Sequence, residues 1–411
     1  MERRQLLQLG LGLGAAALLP GGLARASTRM LLGQAGERRP CLVLVQLTGG
    51  NDGLDTVVPY GDDHYGRARR TTALGKADVL DLDGHVGLHG KLTRLGAEWS
   101  EGRLGIVQGV GYPQPNRSHF KSFEIWHTGR AEGRTSGPGW VGRLAQALHG
   151  DQAHPNRLVH IGGQVPYSLH STAHPPVAFA NPRGYRLAGQ SGELAPTMDA
   201  EASAHEGCED LPRGARARLE ALRAVMRDAQ ASSAEVRAAV AQHKTEVVYP
   251  NTDFAVALST AAALVAANLG AEVISVELGG FDTHTELRRR HDTLMEQLDG
   301  GLGAFLEELR SLDAARDTLV VVYSEFGRRV AENGARGTDH GTAGPLFLAG
   351  PRAAGGLFGR HPSLSELDEG DLVHTTDFRA VFGSAAKGLF GADPSQIFDG
   401  RYDTLPIMRE A

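Results

Sequence analysis

The stretch CLVLVQLTGGND, residues Cys41–Asp52, joins a nearly continuous apolar run to a turn that contains two glycines and a carboxylate. A strand that helices cover on both faces of a parallel sheet has this composition. Short apolar runs of the same kind recur along the chain and alternate with helical patterns, which predicts one α/β domain. The predicted strands are Cys41–Leu47, Leu104–Val110, Leu158–Ile161, Val273–Leu278, Thr318–Tyr323 and Pro345–Leu348.

Helical patterns separate these strands, so we expect a mostly parallel sheet flanked by helices on both faces. The long glycine-, proline- and histidine-rich stretch around 129–210 is predicted to form loops and insertions around a site. Within the predicted helix Glu286–Leu312, Gly300-Gly301 suggests a break or two packed helices. The predicted helices are Pro212–Glu246, Phe254–Leu269, Glu286–Leu312 and Thr376–Leu389, the last with Thr375 or Thr376 as its N-cap.

The first 26 residues have the pattern of an export signal. Arg3-Arg4 precede an apolar run from Leu6 to Leu19, and Ala24-Arg25-Ala26 fits a small-residue cleavage site. The twin arginine favours the Tat pathway, and the run of 14 residues is too short to span a bilayer comfortably. An ordinary secretory signal or an uncleaved anchor is the alternative.

Export has consequences for location and partners. We expect residues 1–26 to be the signal and residues 27–411 to be the α/β domain, in the periplasm or outside the cell. The Tat translocon is then a partner during export, and no stable transmembrane segment remains after cleavage. Outside the cytoplasm Cys41 and Cys208 are able to pair, although the sequence does not give their separation.

Composition excludes several classes of protein. With 41% hydrophobic and 22% charged residues among 411, the chain is an ordinary globular protein rather than a disordered one. A formal net charge of −6 argues against a broad nucleic-acid surface, so no nucleic-acid partner is expected. Two cysteines are too few for a disulfide framework or an all-cysteine zinc site.

Polar side chains cluster where the predicted strands end. In open α/β sheets ligands bind at the carboxyl ends of the strands, and five segments deliver carboxylates, imidazoles or a hydroxyl there. Asp, Glu and His together suit zinc, manganese or iron better than calcium, which prefers oxygen ligands alone. The candidate metal ligands are Asp52, Asp282, His284, Glu325, Asp339 and His340, and the candidate catalytic residues are Arg117, Ser118 and Arg328.

Each of these segments also has a purely structural interpretation. A turn residue, a helix N-cap, an ion pair or a loop hydrogen bond accounts for any one of them alone. One metal cluster explains all five together, because all share the position that the chemistry requires. The structural alternatives are a turn at Asp52, an N-cap at Ser118, an N-cap plus a surface histidine at Asp282 and His284, an ion pair of Glu325 with Arg328 or Arg329, and a loop hydrogen bond at Asp339 and His340.

Four segments resemble the alkaline phosphatase superfamily. Thr318–Arg328 resembles the strand-and-ligand segment that ends in Ser-Asp-His-Gly in that superfamily, and His340–Gly350 is similar to its later metal histidine with the strand that follows. Asn116–His119 resembles the nucleophile loop, and His374–Arg379 is similar to the start of the closing helix. The resemblance implies an alkaline-phosphatase-like or sulfatase-like fold.

A closer resemblance covers nearly the whole chain after the signal. The segments Gly49–Pro59, Gly280–His284, Ser324–Arg328 and Thr338–Thr342 look like the Tat-exported family known as domain of unknown function 1501. Together the two resemblances imply an exported metal-dependent hydrolase of phosphate or sulfate esters, acting on a small-molecule or polymeric anionic ester.

The superfamily resemblance further implies two metal sites and a role for each candidate. Two divalent ions about 4 Å apart activate a hydroxyl nucleophile and stabilise the leaving oxygen. Asp339 orients His340 or ligates directly, and the two arginines clamp the ester oxygens. Asp282, His284 and His340 hold one metal, the second lies at Asp52, Glu325 and the nucleophile Ser118, and the clamps are Arg117 and Arg328.

The sequence also departs from the superfamily pattern. Phe326 stands where the superfamily has histidine, and the spacing of Asp282 and His284 is shorter than its Asp-x-x-x-His. Either His119 or His374 fills the vacancy, or the site holds a single metal. A metal-bound water is an alternative nucleophile to the serine. The alternative function is a non-catalytic envelope protein that binds a polyanion or a partner on a decayed hydrolase fold.

Overall fold

Nine strands form the central sheet in the part of the chain that the structure, a computed structural model, describes: residues 39–131, 136–185 and 229–410. One strand, β10, runs antiparallel to both of its neighbours, and every other neighbouring pair in this sheet is parallel. The mostly parallel sheet expected from the sequence is therefore confirmed. In spatial order the strands are β11 (Gly356–Phe358), β5 (Gly105–Gly111), β10 (Gly344–Ala349), β9 (Thr318–Ser324), β1 (Cys41–Leu47), β8 (Val273–Leu278), β6 (Leu158–Ile161) and β7 (Val177–Phe179), and β14 (Thr376–Asp377) pairs with the end of β5.

Two small sheets accompany the central one. The first is antiparallel and has the spatial order β2-β4-β3, and the second is a two-stranded hairpin. Their strands are β2 (Val57–Val58), β3 (Val79–Asp81), β4 (Gly87–His89), β12 (Leu367–Asp368) and β13 (Asp371–Leu372).

Helices cover both faces of the central sheet. No helix within the described ranges is both long enough and apolar enough to cross a membrane. The predicted export signal, Cys208 and the first part of the predicted helix Pro212–Glu246 lie outside the described residues. The helices are α1 (Gly53–Thr56), α2 (Asp63–Ala68), α3 (Thr93–Ser100), α4 (His119–Thr128), α5 (Trp140–His149), α6 (helical over 229–242), α7 (Asp253–Ala266), α8 (Leu287–Ser311) and α9 (Phe378–Phe390).

Strand β1 shows why the sheet needs helices on both faces. Its Val43 and Val45 point into one hydrophobic core, to which α7 and α8 contribute, whereas Leu42 and Leu44 point into a second core with α4, α5 and α9. All four side chains are completely buried. Burial of both faces explains why the strand is apolar without alternation, as the sequence predicts.

Helix α8 is continuous through Gly300-Gly301, so the predicted break is wrong. Instead, these glycines allow α7 and the segment before it to approach α8 closely. A Cβ atom on Gly300 would lie 2.9 Å from the Pro250 ring, and one on Gly301 would lie 2.8 Å from the ring of Phe254 in α7. The pair therefore lets α7 pack tightly against α8, and tertiary packing outweighs the weak helix propensity of glycine.

Two further segments differ from their predicted form. Helix α9 begins at Phe378 with Asp377 as its N-cap, because Thr376 belongs to β14 and the Asp377 carboxylate accepts the backbone N–H of Arg379. Within the predicted loop region around 129–210, β6 forms as predicted, and the described residues also form α5 and β7, which the sequence did not predict.

Candidate metal centre

The loops at the carboxyl edge of the central sheet bring three histidines and an aspartate together. His119 opens α4 after β5, and Asp282 and His284 follow β8. His340 precedes β10, and because β10 is antiparallel its start lies at the same edge as the ends of its parallel neighbours. Strand polarity therefore places all four residues on one side of the sheet.

The four side chains meet at one oxygen atom. Asp282 Oδ1 lies 3.1 Å from His284 Nε2, 3.1 Å from His340 Nε2 and 3.7 Å from His119 Nε2. The Nε2 atoms of His284 and His340 are 3.0 Å apart. Within the described ranges, His119, Asp282 and His340 form the group whose ligand atoms all lie within 4.8 Å of one another, and His284 joins it through Asp282 and His340.

The opposite ring nitrogen of each histidine donates to an oxygen acceptor. A carboxylate or carbonyl oxygen only accepts, so the proton of the neutral imidazole lies on Nδ1 and each Nε2 carries a lone pair. Three lone pairs and a carboxylate oxygen then face one another, an arrangement that a divalent cation stabilises. The acceptors are Glu325 Oε1 for His119 at 2.7 Å, Asp339 Oδ1 for His284 at 3.1 Å and the Arg117 carbonyl for His340 at 2.8 Å.

Electrostatics keep the aspartate ionised. Partial burial acts to raise the pKa of Asp282, but the neighbouring groups, Arg328 first among them through its hydrogen bond and its charge, outweigh burial and lower that pKa to about 2. The hydrogen bond to Glu325 raises the pKa of His119 above its ordinary value, against the effect of burial. A proton on His119 therefore competes more strongly with a metal than it does on an ordinary histidine.

Glu325 hydrogen-bonds the Nδ1 side of the His119 ring and is not itself a member of the cluster. It is completely buried, and its Oε1 accepts both the Gly49 N–H at 2.9 Å and His119 Nδ1. Its Oε2 accepts the Ser324 hydroxyl at 3.0 Å. Such carboxylate–histidine pairs fix the ring orientation and the tautomer of metal-binding histidines.

The structure places Asp52 in a separate buried ion pair. Asp52 Oδ1 accepts Arg69 Nη1 at 2.8 Å and the backbone N–H of Asp55, which makes it the N-cap of α1. Its Oδ2 accepts the Thr338 hydroxyl at 2.8 Å. Burial raises the pKa of Asp52, but the Arg69 guanidinium outweighs burial and the net shift is downward. Both oxygens are thus engaged away from the cluster, and the turn interpretation describes this residue better than the ligand one.

Arg328 joins the loops that build the cluster. Its fully buried guanidinium donates to the carbonyl of Gly50 at 2.7 Å, to the carbonyl of Thr338 at 2.9 Å and to Asp282 Oδ1 at 2.7 Å. Arg117 Nε donates to Asp371 Oδ2 at 2.6 Å. Both predicted clamps therefore have protein partners, and Arg328 holds the Asp282 carboxylate in place.

The remaining predicted residues surround the cluster. Ser118 occupies the N-cap position of α4 but forms no capping hydrogen bond through its side chain, and it is exposed. Asp339 contacts His284 rather than His340, which differs from the orienting role expected for it. The ring of Phe326 lies 4.8 Å from that of His119 and 4.9 Å from that of His340, centroid to centroid, and forms an apolar wall.

His119 is the member of this cluster that the sequence offered only as one of two alternatives for the missing ligand. The sequence feature that pointed to it is its position directly after Ser118, at the start of the helix that follows β5. His374 does not belong to the group of ligand atoms found in the described residues. No sequence pattern connects His119 with Glu325, since 206 positions separate them.

Comparison with known proteins identifies the family. A family model described as "Protein of unknown function (DUF1501)" matches residues 94–400. This chain belongs to that family. The matched range includes every member of the histidine and aspartate cluster, from His119 to His340.

More distant relatives are similar in part. Steryl-sulfatase of Mus musculus is 36% identical over 124 residues, and the chain spans only 19% of that protein's length. The PsFucS1 sulfatase from Pseudoalteromonas sp. has a TM-score of 0.40 at 11% identity, covering 93% of this chain and 75% of the other. The C-terminal periplasmic domain of EcEptC from Escherichia coli has a TM-score of 0.38 at 10% identity, with coverage of 90% and 89%.

The Asp52–Arg69 pair predicts a large effect on stability. Replacing Arg69 by methionine leaves the buried carboxylates of Asp52 and Asp55 without their cation, so the free energy of unfolding should fall by about 3–5 kcal/mol at pH 7. Denaturant unfolding measures this change. The exposed neighbour Arg70 provides the control, because Arg70→Met should change stability by less than about 0.5 kcal/mol. Equal effects of the two substitutions would contradict the account of Asp52.

Proposed function

We propose that this chain is a metal-dependent hydrolase of sulfate or phosphate esters. The observation that carries the proposal is the convergence of three imidazole Nε2 atoms on Asp282 Oδ1, with every Nδ1 proton already committed to an oxygen acceptor. Nitrogen and carboxylate donors in this combination suit zinc, manganese or iron. The similarity to steryl-sulfatase over part of the chain agrees with the ester class.

We expect one metal ion rather than two. His119, Asp282, His284 and His340 would hold it. The residues assigned to a second ion by the superfamily resemblance have other partners, since the oxygens of Asp52 and of Glu325 are hydrogen-bonded within the protein. Buried guanidinium groups supply positive charge instead, Arg69 beside Asp52 and Arg328 beside Asp282.

Residues of the chain would bind and orient an anionic ester beside the metal. A divalent ion bound here would act as a Lewis acid on an ester oxygen. The first turn of α4 begins at His119 and presents backbone N–H groups that a helix does not use internally, which favours an anion at that point. Ser118 lies at the same helix end, where its unengaged hydroxyl is available to a substrate. Phe326 shields one side of the cluster from water.

A non-catalytic role is the second candidate. Arg117 and Arg328 are both engaged with protein acceptors, which leaves neither of them to clamp an ester in the transition state. On this interpretation the protein binds a metal and an anion in the cell envelope without turnover. Measurement of metal content and of turnover separates the two candidates.

We also propose that the protein is exported by the Tat pathway to the periplasm or beyond. The proposal rests on Arg3-Arg4 and the apolar run that follows them. Replacing both arginines by lysine should leave the precursor in the cytoplasm, as cell fractionation would detect. Unchanged export of that variant would exclude the Tat route.

Metal analysis tests the central proposal. Purified protein should contain one equivalent of a transition metal and cleave aryl sulfate or aryl phosphate esters. His340→Ala removes one donor, so metal affinity and turnover should both fall by at least about 100-fold. His170→Ala, at an exposed histidine, is the control and should retain both. A correctly folded protein that binds no metal refutes the proposal, and metal binding without turnover leaves the second candidate.

The Glu325–His119 pair predicts a characteristic pH dependence. Protons compete with the metal for His119, and because Glu325 raises its pKa, metal affinity should begin to fall at a pH above about 6.5. Glu325→Gln should weaken metal binding at pH 8 by about 10–100-fold and move the pH midpoint of binding downward. Metal titrations across pH measure both quantities, with exposed Glu366→Gln as the control. A midpoint that does not move would contradict the positioning role of Glu325.

A further inference from the structure

His284 is the most exposed of the three histidines in the cluster. Its side chain is 41% exposed, against 26% for His119 and 24% for His340. The Asp339 carboxylate that accepts its Nδ1 is itself more than half exposed, whereas the Glu325 carboxylate behind His119 is completely buried. An exposed pair of this kind fixes its two side chains only weakly, so the His284 ring needs support from elsewhere in the fold.

Asn333 joins the backbone of His284 to the carboxylate that holds its ring. The side-chain Nδ2 donates to the His284 carbonyl at 2.9 Å and to Asp339 Oδ1 at 3.1 Å. The side-chain Oδ1 accepts the backbone N–H of Ala335 at 2.9 Å and that of Gly337 at 3.0 Å. The amide therefore uses both of its donors and both of its acceptor positions. A side chain that only closed a turn would need the oxygen alone, so the two donor contacts indicate a second task.

Gly337 lets the same loop lie directly against the His284 backbone. A Cβ atom at this position would overlap the carbonyl group of His284 and lie 2.5 Å from the backbone nitrogen of Thr285. A Cβ atom on Gly334, three residues earlier in the loop, would meet nothing within 4 Å. Close approach to His284 therefore explains a glycine at the later position and not at the earlier one.

We propose that residues 333–337, which we call the support loop, position His284 for metal binding. The inference rests on the proposed function, because it takes His284 as a ligand of the metal. Through Asn333 the loop holds the Asp339 carboxylate where it accepts His284 Nδ1. Through Gly337 it supports the backbone that carries the ring. Both residues act through His284, so they are positioning residues rather than catalytic ones.

The support loop preorganises the ring. With Nδ1 of His284 committed to Asp339, its Nε2 faces Asp282 Oδ1 at 3.1 Å and His340 Nε2 at 3.0 Å. A side chain that is fixed before its ligand arrives loses less conformational freedom on binding. Loss of a hydrogen-bond partner behind a metal ligand typically weakens metal binding by about 10–100-fold.

Zinc titration of the full-length protein, after a chelator has removed bound metal, tests the proposal. Gly337→Ala should push the loop away from the His284 backbone and weaken zinc binding at least about tenfold. Gly334→Ala makes the same chemical change in the same loop where there is open space, so it should bind zinc as the wild type does. Thermal unfolding followed by circular dichroism shows that each metal-free variant is folded.

Asn333→Ser is the second variant, and it decides the question if Gly337→Ala does not fold. A serine hydroxyl still accepts a backbone N–H in a turn, but it is too short to reach both the His284 carbonyl and Asp339. Zinc binding should weaken about tenfold or more. Asn251→Ser, at an exposed asparagine outside the metal centre, is the matched control and should bind zinc normally.

The tautomer of His284 in the metal-free protein gives a readout that does not depend on zinc. Histidine labelled with nitrogen-15 is observed by NMR at about pH 9, above its ordinary titration, and His284→Gln identifies the signals of this ring. The wild type should show Nδ1–H at His284. Gly337→Ala and Asn333→Ser should show a mixture of the two tautomers there, while His119 keeps Nδ1–H because Glu325 is unchanged.

Unchanged zinc affinity in both loop variants would overturn the proposal, and so would equal losses in these variants and their controls. Weaker zinc binding with an unaltered His284 tautomer would also overturn it, because the loop would then serve folding and not the orientation of the ring. Failure of the proposed function gives a different result. The wild type would then bind no zinc, and the tautomer comparison would still test whether the support loop orients His284.

Discussion

The hydrogen bond between Arg328 and Asp282 is the interaction on which the candidate site depends. The guanidinium is buried and also donates to the carbonyls of Gly49, Gly50, Phe281 and Thr338, so one side chain ties the loop after β1 to the loop after β8 and to the segment before β10. Asp282 Oδ1 is thereby fixed at the point where three imidazole rings converge. Without that bond, the carboxylate would lose the contact that holds it between loops that are far apart in sequence, and the cluster would lose its centre.

Buried charge around the centre is balanced by pairing rather than by solvent. Arg69 compensates Asp52 and Asp55, and Glu325 faces His119 and the amide N–H of Gly49. An unpaired buried charge is far more costly than a paired one, so these side chains are constrained together. In this structure the carboxylates of Asp52 and Glu325 join the loops and His119 through these hydrogen bonds.

The sequence predicted most of the sheet because its strands are buried on both faces, which makes Cys41–Leu47, Leu158–Ile161 and Val273–Leu278 readable as apolar runs. It also placed Asp282 and His284 at the correct edge, because both follow a parallel strand. His340 lies there because β10 is antiparallel, a direction that the sequence did not predict. It did not predict the partners of Asp52 and Glu325, because Thr338 and His119 lie 286 and 206 positions away from them. Nor did it predict that Gly300-Gly301 would serve helix packing, because the contact with Phe254 is tertiary.

The most direct measurement is an anomalous-difference map from a crystal of the full chain grown with zinc. The account predicts one peak, about 2.0–2.1 Å from the Nε2 atoms of the histidines and bound by Asp282. Arg69 should remain paired with Asp52 in that crystal. A peak bound by Asp52 and Glu325, or two peaks that share these carboxylates, would contradict the single centre described above.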